Sequence, residues 1–490
     1  MRSMLRINWM RISAFALLTL TLSAKPARAQ DSKTVPDLQQ LNNKLEQLEK
    51  ELDEVKSQIQ QAAGAQKPAA SQGPAEAQKT SGQPQPLVAI PSEAVIAPPP
   101  AGSVPIEGEI TERKDSVDFY GFVMLDSGYD FGQINPNWYD VVRPTQLPSY
   151  TNEFAPSGNV YASVRQTRFG VKSSSPTKFG DLNTIFEFEL FGTGADAGQT
   201  TFRLRHAYGE LGQIGAGQTW SAFMDIGVFP NTLEYWGPSG MVFFRNIQLR
   251  WMPVRSKRGG VTIALERPGA SGDQGTYADR IELANIRPRF NFPDLTGNAR
   301  IVGNWGYFQA AGIVRKIGWV DTSGNSPNLG GSVVGWGANL TSNINLGKKN
   351  VAKLAFVYGN GIENYMNDAP VDVGIATNPP GSRLPIKGVA LPVLGVVSFL
   401  DHTWNEHFTS SIGYSLVDIQ NSNAQLPSDY HQGDYVVGNL LYHPIPRVMM
   451  GGEFQFGRRV NFADGFNVND YRMQFSFKFD WDKSFKSPTL

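Results

Sequence analysis

The chain has 490 residues, 41% of them hydrophobic and only 18% charged, which is enough for several globular domains or one very large sheet. Its 44 basic and 44 acidic residues cancel, so nothing in the overall balance argues for nucleic acid as a partner. The absence of cysteine excludes disulfides, thiolate metal ligation and cysteine catalysis.

Residues 1–29 carry five basic groups and no acid. Arg2, Arg6 and Arg11 are followed by an apolar run from Ile12 to Leu22 and by Ala27-Arg28-Ala29, the pattern of a secretory signal peptide with its cleavage site. The run is too short to span a bilayer as a helix. A coiled-coil helix is expected over 30–62. Leu38, Leu41, Leu45, Leu48, Leu52, Val55, Ile59 and Ala62 fall at alternating steps of three and four, with Glu and Lys on the flanks. An exposed Leu stripe on one short helix wants partners. The alternative is an amphipathic helix packed on its own domain, and the seam does not decide the oligomer. Residues 63–116 are rich in Ala, Pro, Gln, Gly and Ser and read as a linker.

From Val117 the texture changes to alternating segments that persist to Trp481. Fifty Gly, 29 Phe, 16 Tyr and 10 Trp suit twisted strands with aromatic belts. Sixteen strands are expected near 117–131, 160–172, 182–192, 200–210, 214–220, 242–252, 260–267, 294–303, 306–317, 333–345, 350–359, 390–404, 408–418, 432–443, 447–460 and 467–481. In the last, Tyr471, Met473, Phe475, Phe477, Phe479 and Trp481 share one face, and Arg472, Gln474, Ser476 and Lys478 the other. Connections after even strands are tight, and those after odd strands tend to be long. That asymmetry predicts an all-β fold, a 16-stranded antiparallel transmembrane β-barrel over 117–490, with periplasmic turns and external loops. Closure also removes exposed sheet edges.

The stretch from Phe202 to Pro253 concentrates the chemistry. Phe202 and Leu204 point to one face of a strand and Arg203 and Arg205 to the other. Arg168 is placed similarly two strands earlier, Arg250 faces inward by the same parity, and Arg245 sits where the chain rejoins the wall. A guanidinium offers a planar fork of donors and stays charged, so a ladder of them lets an anion step between weak sites. The competing reading is that these arginines pair with Glu187, Glu189 or the acids of the Ser221 to Gly240 loop and hold the wall together. Arg165 breaks the parity of Arg168 and is expected at a bulge or belt.

RQTRFGVK (165–172), FRLRHAYGELGQIGAGQTWSAFMD (202–225) and FPNTLEYWGPSG (229–240) resemble the signature of the DcaP-type outer-membrane porins. The resemblance implies a homotrimer of diffusion channels, embedded in outer-membrane lipid and passing small anionic solutes such as dicarboxylates. It also implies that Ser221 to Gly240 is the constriction loop, with Asp225 and Glu234 facing the arginines to set a transverse field. Peptidoglycan is a candidate partner of the N-terminal coil. The chain departs from the usual aromatic ending of barrels by running on from Trp481 through DKSFKSPTL.

No cofactor and no metal are expected. His206, His402, His407, His431 and His443 show no metal spacing, GASG at 269–272 lacks the nucleophile elbow, and Gly359 to Gly361 is a strand-end turn. The reading against a channel is an envelope-spanning anchor with a coiled-coil arm and little transport role.

Overall fold

The computed structural model describes residues 115–324 and 327–487. The expected signal peptide, coiled-coil helix and nearly all of the linker lie outside the described residues. A run of antiparallel strands begins at Ser116: β1 (Ser116–Asp130), β2 in two halves (Asn159–Ser163 and Arg168–Thr177), β3 (Gly180–Phe191), β4 (Thr200–Leu211), β5 (Ile214–Trp220), β6 (Arg245–Ser256), β7 (Gly259–Glu266) and β8 (Asp294–Gly303). It continues through β9 (Gly306–Asp321), β10 (Gly331–Leu346), β11 (Asn350–Asn360), β12 (Pro392–Thr403), β13 (Phe408–Ile419), β14 (Tyr430–Ile445), β15 (Val448–Asn461) and β16 (Asn467–Lys486).

Both halves of β2 pair with β1, and the short strand Ile286–Pro288 prolongs the line of β8 against β9, so the 18 ladder segments make a barrel of sixteen strands. Closure is made by β1 against β16, from Ser116↔Lys486 to Asp130↔Arg472. The final strand thus outruns its expected end. Asp482 to Lys486 still pair with Ser116 to Tyr120, so most of the segment after Trp481 belongs to the wall. Other boundaries differ as well, and β2, β6 and β9 run on to Thr177, Ser256 and Asp321. β2 is interrupted at 164–167, where Arg165 turns inward to Asp140, and β6 starts at Arg245 because 241–244 belong to the returning loop.

The alternation resolves into an oily outside and a mixed inside. On β9, Phe308 and Val314 point outward and are exposed, whereas Gln309, Ile313 and Arg315 are buried. Val334, Trp336 and Leu340 continue the outward row on β10. Such a large exposed apolar surface is stable only against lipid. Inside, the wall is not uniformly wet. Ile313, Val357, Val397, Phe399, Val417 and Val437 face the bore and pack against Phe223, Met224, Val228, Phe229 and Met241 from the loop after β5. The barrel is therefore partly filled, with a hydrophobic core between its own wall and an inward-folded segment. Residues 361–391, including the hairpin of Val373–Thr377 with Ile386–Ala390, form a further long connection.

Leu340 lies midway along the outward row of β10. Leu340→Arg is expected to lower folding stability in lipid by about 2–4 kcal/mol, whereas Leu340→Met should change it by less than about 1.5 kcal/mol. Urea titration of the barrel in vesicles checks both.

Candidate functional site

Three adjacent strands, the first residue of β6 and one loop build an arginine cluster. Glu187 and Glu189 share the inner face of β3, with Arg168 opposite Glu189 on β2 and Arg203 opposite it on β4. Between the pairs Glu187↔His206 and Phe188↔Leu204 the register slips by one residue, which makes Arg205 the extra residue of a β-bulge. The bulge buries both Arg205 and His206, although strict alternation puts His206 on the face of Phe202 and Leu204.

Arg205 is held hardest: Nε lies 2.6 Å from Glu187 Oε1 and Nη1 lies 2.5 Å from Glu189 Oε2. Arg168 stands 3.8 Å from Glu187 and 3.5 Å from Glu189. Arg203 and Arg245 each approach Glu189 Oε1 at 3.6 Å. Tyr235, from the inward loop, donates its hydroxyl to Glu189. Four guanidinium groups meet two carboxylates. The arginines do pair with wall glutamates, and two positive charges remain in excess. Of the four, Arg203 keeps the most contact with solvent, with 27% of its side chain accessible.

Arg250 also faces the bore but stands apart. It donates to Trp220 O at 2.5 Å and Gln248 Oε1 at 2.7 Å, lies 5.4 Å from the Tyr208 ring, and has no carboxylate partner among the described residues. The two loop acids do not face the cluster. Asp225 pairs with Arg300 of β8 at 2.5 Å and accepts hydroxyls from Tyr307 at 2.9 Å and Thr341 at 2.6 Å. Glu234 accepts the amides of Val142, Trp236 and Gly237 at 3.1, 2.9 and 2.6 Å and the Tyr435 hydroxyl at 2.9 Å. The physical reason for the departure is local. A loop that leaves the ladder carries unpaired amides, and its acids are taken by those amides and by the nearest wall.

The loop crosses the bore by exchanging its backbone partners strand by strand. Ala222 O accepts from Asn298 at 2.7 Å, Phe223 O from Asn339 at 2.9 Å, Met224 O from Gln309 at 3.2 Å and Gly227 O from Asn343 at 2.8 Å. Farther on, Asn231 O accepts from Asn439 at 2.7 Å, and the amides of Leu233 and Glu234 donate to Glu453 at 2.7 and 2.8 Å. Gly240 closes the circuit so tightly that a Cβ there would lie 2.1 Å from Leu416 O. The loop then runs beside a second inward segment, with Phe243 N donating to Tyr365 O at 2.9 Å and Asn367 N to Met241 O at 2.8 Å.

Sequence reasoning missed Arg143 and Arg300. Arg143 sits in the loop after β1, 4.3 Å from the Trp138 ring and 4.0 Å from the Trp236 ring, with Nε 2.9 Å from Asp368. That loop has no periodicity from which an inward course could be read. Arg300 shares the inner face of β8 with Asn298 and Thr296, and that alternation was the available signal. Among the described residues no group of three His, Asp or Glu is arranged to hold a metal ion.

A sixteen-stranded barrel with an oily outer band, a charged inner wall and a loop folded across its bore defines a porin-type channel of an outer membrane. The sequence matches the DcaP outer membrane protein family over residues 103–474, and the chain belongs to that family. Among solved structures it is similar to the outer membrane channel DcaP of Acinetobacter baumannii, at 17% identity and a TM-score of 0.62, covering 76% of this chain and 99% of that one. It is also similar to an anion-selective porin from Comamonas acidovorans (9% identity, TM-score 0.48, 75% and 100% covered) and to OmpT of Vibrio cholerae (11% identity, TM-score 0.47, 76% and 100% covered). No curated protein sequence matches the chain.

Glu189 is the shared partner of all four arginines. Glu189→Gln is expected to cost about 3–5 kcal/mol of folding stability, because it leaves buried guanidinium groups uncompensated. Thermal unfolding of the reconstituted barrel measures the loss.

Proposed function

We propose that this barrel is a diffusion channel for small hydrophilic solutes that prefers anions, with dicarboxylates as the favoured class. The observation that carries the reading is the excess of arginine over glutamate where Tyr235 of the inward loop meets the wall. Arg205 is locked against the glutamates, Arg168 and Arg245 are buried beside them, and the three supply a fixed positive potential. Arg203 is the member left accessible to a passing solute. A water-restricted bore strengthens that potential relative to bulk solvent. Attraction stays weak at each step, which lets an anion leave as readily as it arrives.

The preference for two carboxylates rests on a second feature. Arg143 and Arg203 stand 4.0 and 6.0 Å from the same Trp236 ring, so a short diacid can meet one guanidinium with each end. Arg143 is already shared with Asp368, which keeps that second contact loose. The proposal includes a homotrimer, each protomer with its own bore, and the layout of a signal peptide over 1–29, a periplasmic coil over 30–62 and a linker before the barrel. The coil then serves assembly or contact with peptidoglycan. Permeation is passive and needs no cofactor.

Single-channel recording in a planar bilayer under a salt gradient tests this. The expected result is a reversal potential biased toward anions, closure in three equal steps, and flicker on adding succinate. Arg203→Ala should reduce the anion bias severalfold and shorten the succinate flicker while the barrel stays folded, because Arg203 is the least buried of the four. A silent or cation-selective protein, indifferent to Arg203→Ala, would overturn the reading and favour an envelope anchor.

A further inference from the structure

We propose that Arg287, Arg289 and Lys316 form a binding site, on the outward face of the barrel, for the phosphate-bearing head of an outer-leaflet lipid. The proposal uses only the placement of the barrel in an outer membrane, so it is independent of the channel's selectivity.

The face on which these residues lie follows from the register. Along β9 the outward row is Phe308, Ala310, Gly312, Val314 and Lys316, all exposed, and it alternates without slip against β10. Ile286–Pro288 pairs with the top of this strand, Arg287 opposite Val320, and Arg289 N donates to Gly318 O at 2.8 Å. Val320 and Gly318 continue the outward row, so Arg287 and Arg289 project from the same face as Lys316. Their neighbours Ile286, Pro288 and Phe290 point the other way, lining a 300 Å³ cavity with Ile317 and Trp319.

The height is right for a lipid head. With strands rising about 3.3 Å per residue and tilted by about 40°, Lys316 stands about 20 Å above Phe308, Arg289 about 25 Å and Arg287 about 30 Å. An outer-membrane barrel carries an apolar band about 25 Å tall. With Phe308, the first exposed residue after the tight turn, taken as the lower edge of that band, the three cations climb through its upper edge into the head-group layer, on the side of the long loops.

None of the three has a carboxylate partner among the described residues. Arg287 donates to Ala284 O at 2.6 Å and Ile286 O at 3.0 Å, and Arg289 to Asn291 Oδ1 at 3.1 Å. Lys316 lies 5.6 Å from the ring of Phe292. The nearby acids are engaged elsewhere: Glu282 with Arg280 at 2.5 Å, and Asp321 with Ser323 and the Leu329 amide at 2.6 and 3.0 Å. Two guanidinium forks and an ammonium on adjacent strands suit phosphate oxygens. Val334 lies beside Lys316, and Val314 and Trp336 lie directly below it, with Phe292 exposed alongside. A free anion gains nothing from that apolar floor. A phosphorylated lipid gains from both parts.

Native mass spectrometry of the full chain in mild detergent tests the assignment, with phosphorylated lipid A, dephosphorylated lipid A and inorganic phosphate as probes. The phosphorylated lipid should bind about tenfold or more tightly than the dephosphorylated one. The triple variant Arg287→Gln/Arg289→Gln/Lys316→Gln should lose that preference, while single-channel conductance, which none of these residues serves, stays unchanged. Lys316→Gln alone should lose part of it. Equal preference in wild type and both variants would overturn the proposal. So would displacement of the lipid by millimolar inorganic phosphate, which would mark a free-anion site instead.

Discussion

The structure depends on one constraint: a backbone that leaves the β-ladder inside a membrane barrel must find new partners for every amide and carbonyl it exposes. The segment from Ser221 to Gly240 meets this constraint by leaning on the wall side chains, and the wall is written accordingly. Asn298, Gln309, Asn339, Asn343 and Asn439 each donate a carboxamide to one of its carbonyls, and Glu453 receives two of its amides. The polar inner faces of β8 to β15 are thus in large part a replacement ladder. Their purpose is to hold one loop in one place, which is what a bore of defined shape requires.

The same constraint explains why the charges fall where they do. Buried guanidinium groups are costly unless paired, and their excess must be tolerated at a point that water can still reach. Arg205 takes two short carboxylate contacts and is buried, whereas Arg203 takes one long contact and keeps partial access to solvent. Asp225 performs a separate task, tying the early part of the loop to Arg300, Tyr307 and Thr341. Spreading acids and bases around the circuit in this way leaves a local excess of arginine where β2 to β4 meet the start of β6.

How much of this was legible in the sequence follows from which interactions are local. Strand positions were, because period-two alternation is a property of each segment alone, and the difference between long and short connections gave the barrel its sides. Pairing of arginine with Glu187 and Glu189 was visible as an alternative, since all lie on neighbouring strands with one parity. What lay out of reach was set by contacts distant in the chain. The bulge at Arg205 that turns His206 inward has no signature in FRLRHAY. The inward course of 131–158, which carries Arg143 onto Trp236, depends on Asp368 more than two hundred residues away. The apolar patch of inner wall was equally hidden, because Val397 or Val417 reads as lipid-facing until a loop is found covering it.

That last point bears on what an outer-membrane sequence can tell about itself. Apolar residues on this barrel serve two solvents, lipid outside and a folded segment inside, and composition does not separate them. Polar residues likewise serve two purposes, since Asn339 completes the backbone of a loop while Arg203 remains available to solutes. Only the pattern of pairing tells them apart. On β9 the decisive contrast is between Arg315, turned inward to Asp294 and Asp372 at 3.2 and 3.0 Å, and Lys316, its immediate neighbour, turned outward with no acid partner among the described residues. Two adjacent basic residues thereby face opposite environments, and burying a charge without a partner costs more than leaving it at a polar interface. The inward cation therefore had to be neutralised within the protein. The outward one is free to be neutralised by the membrane.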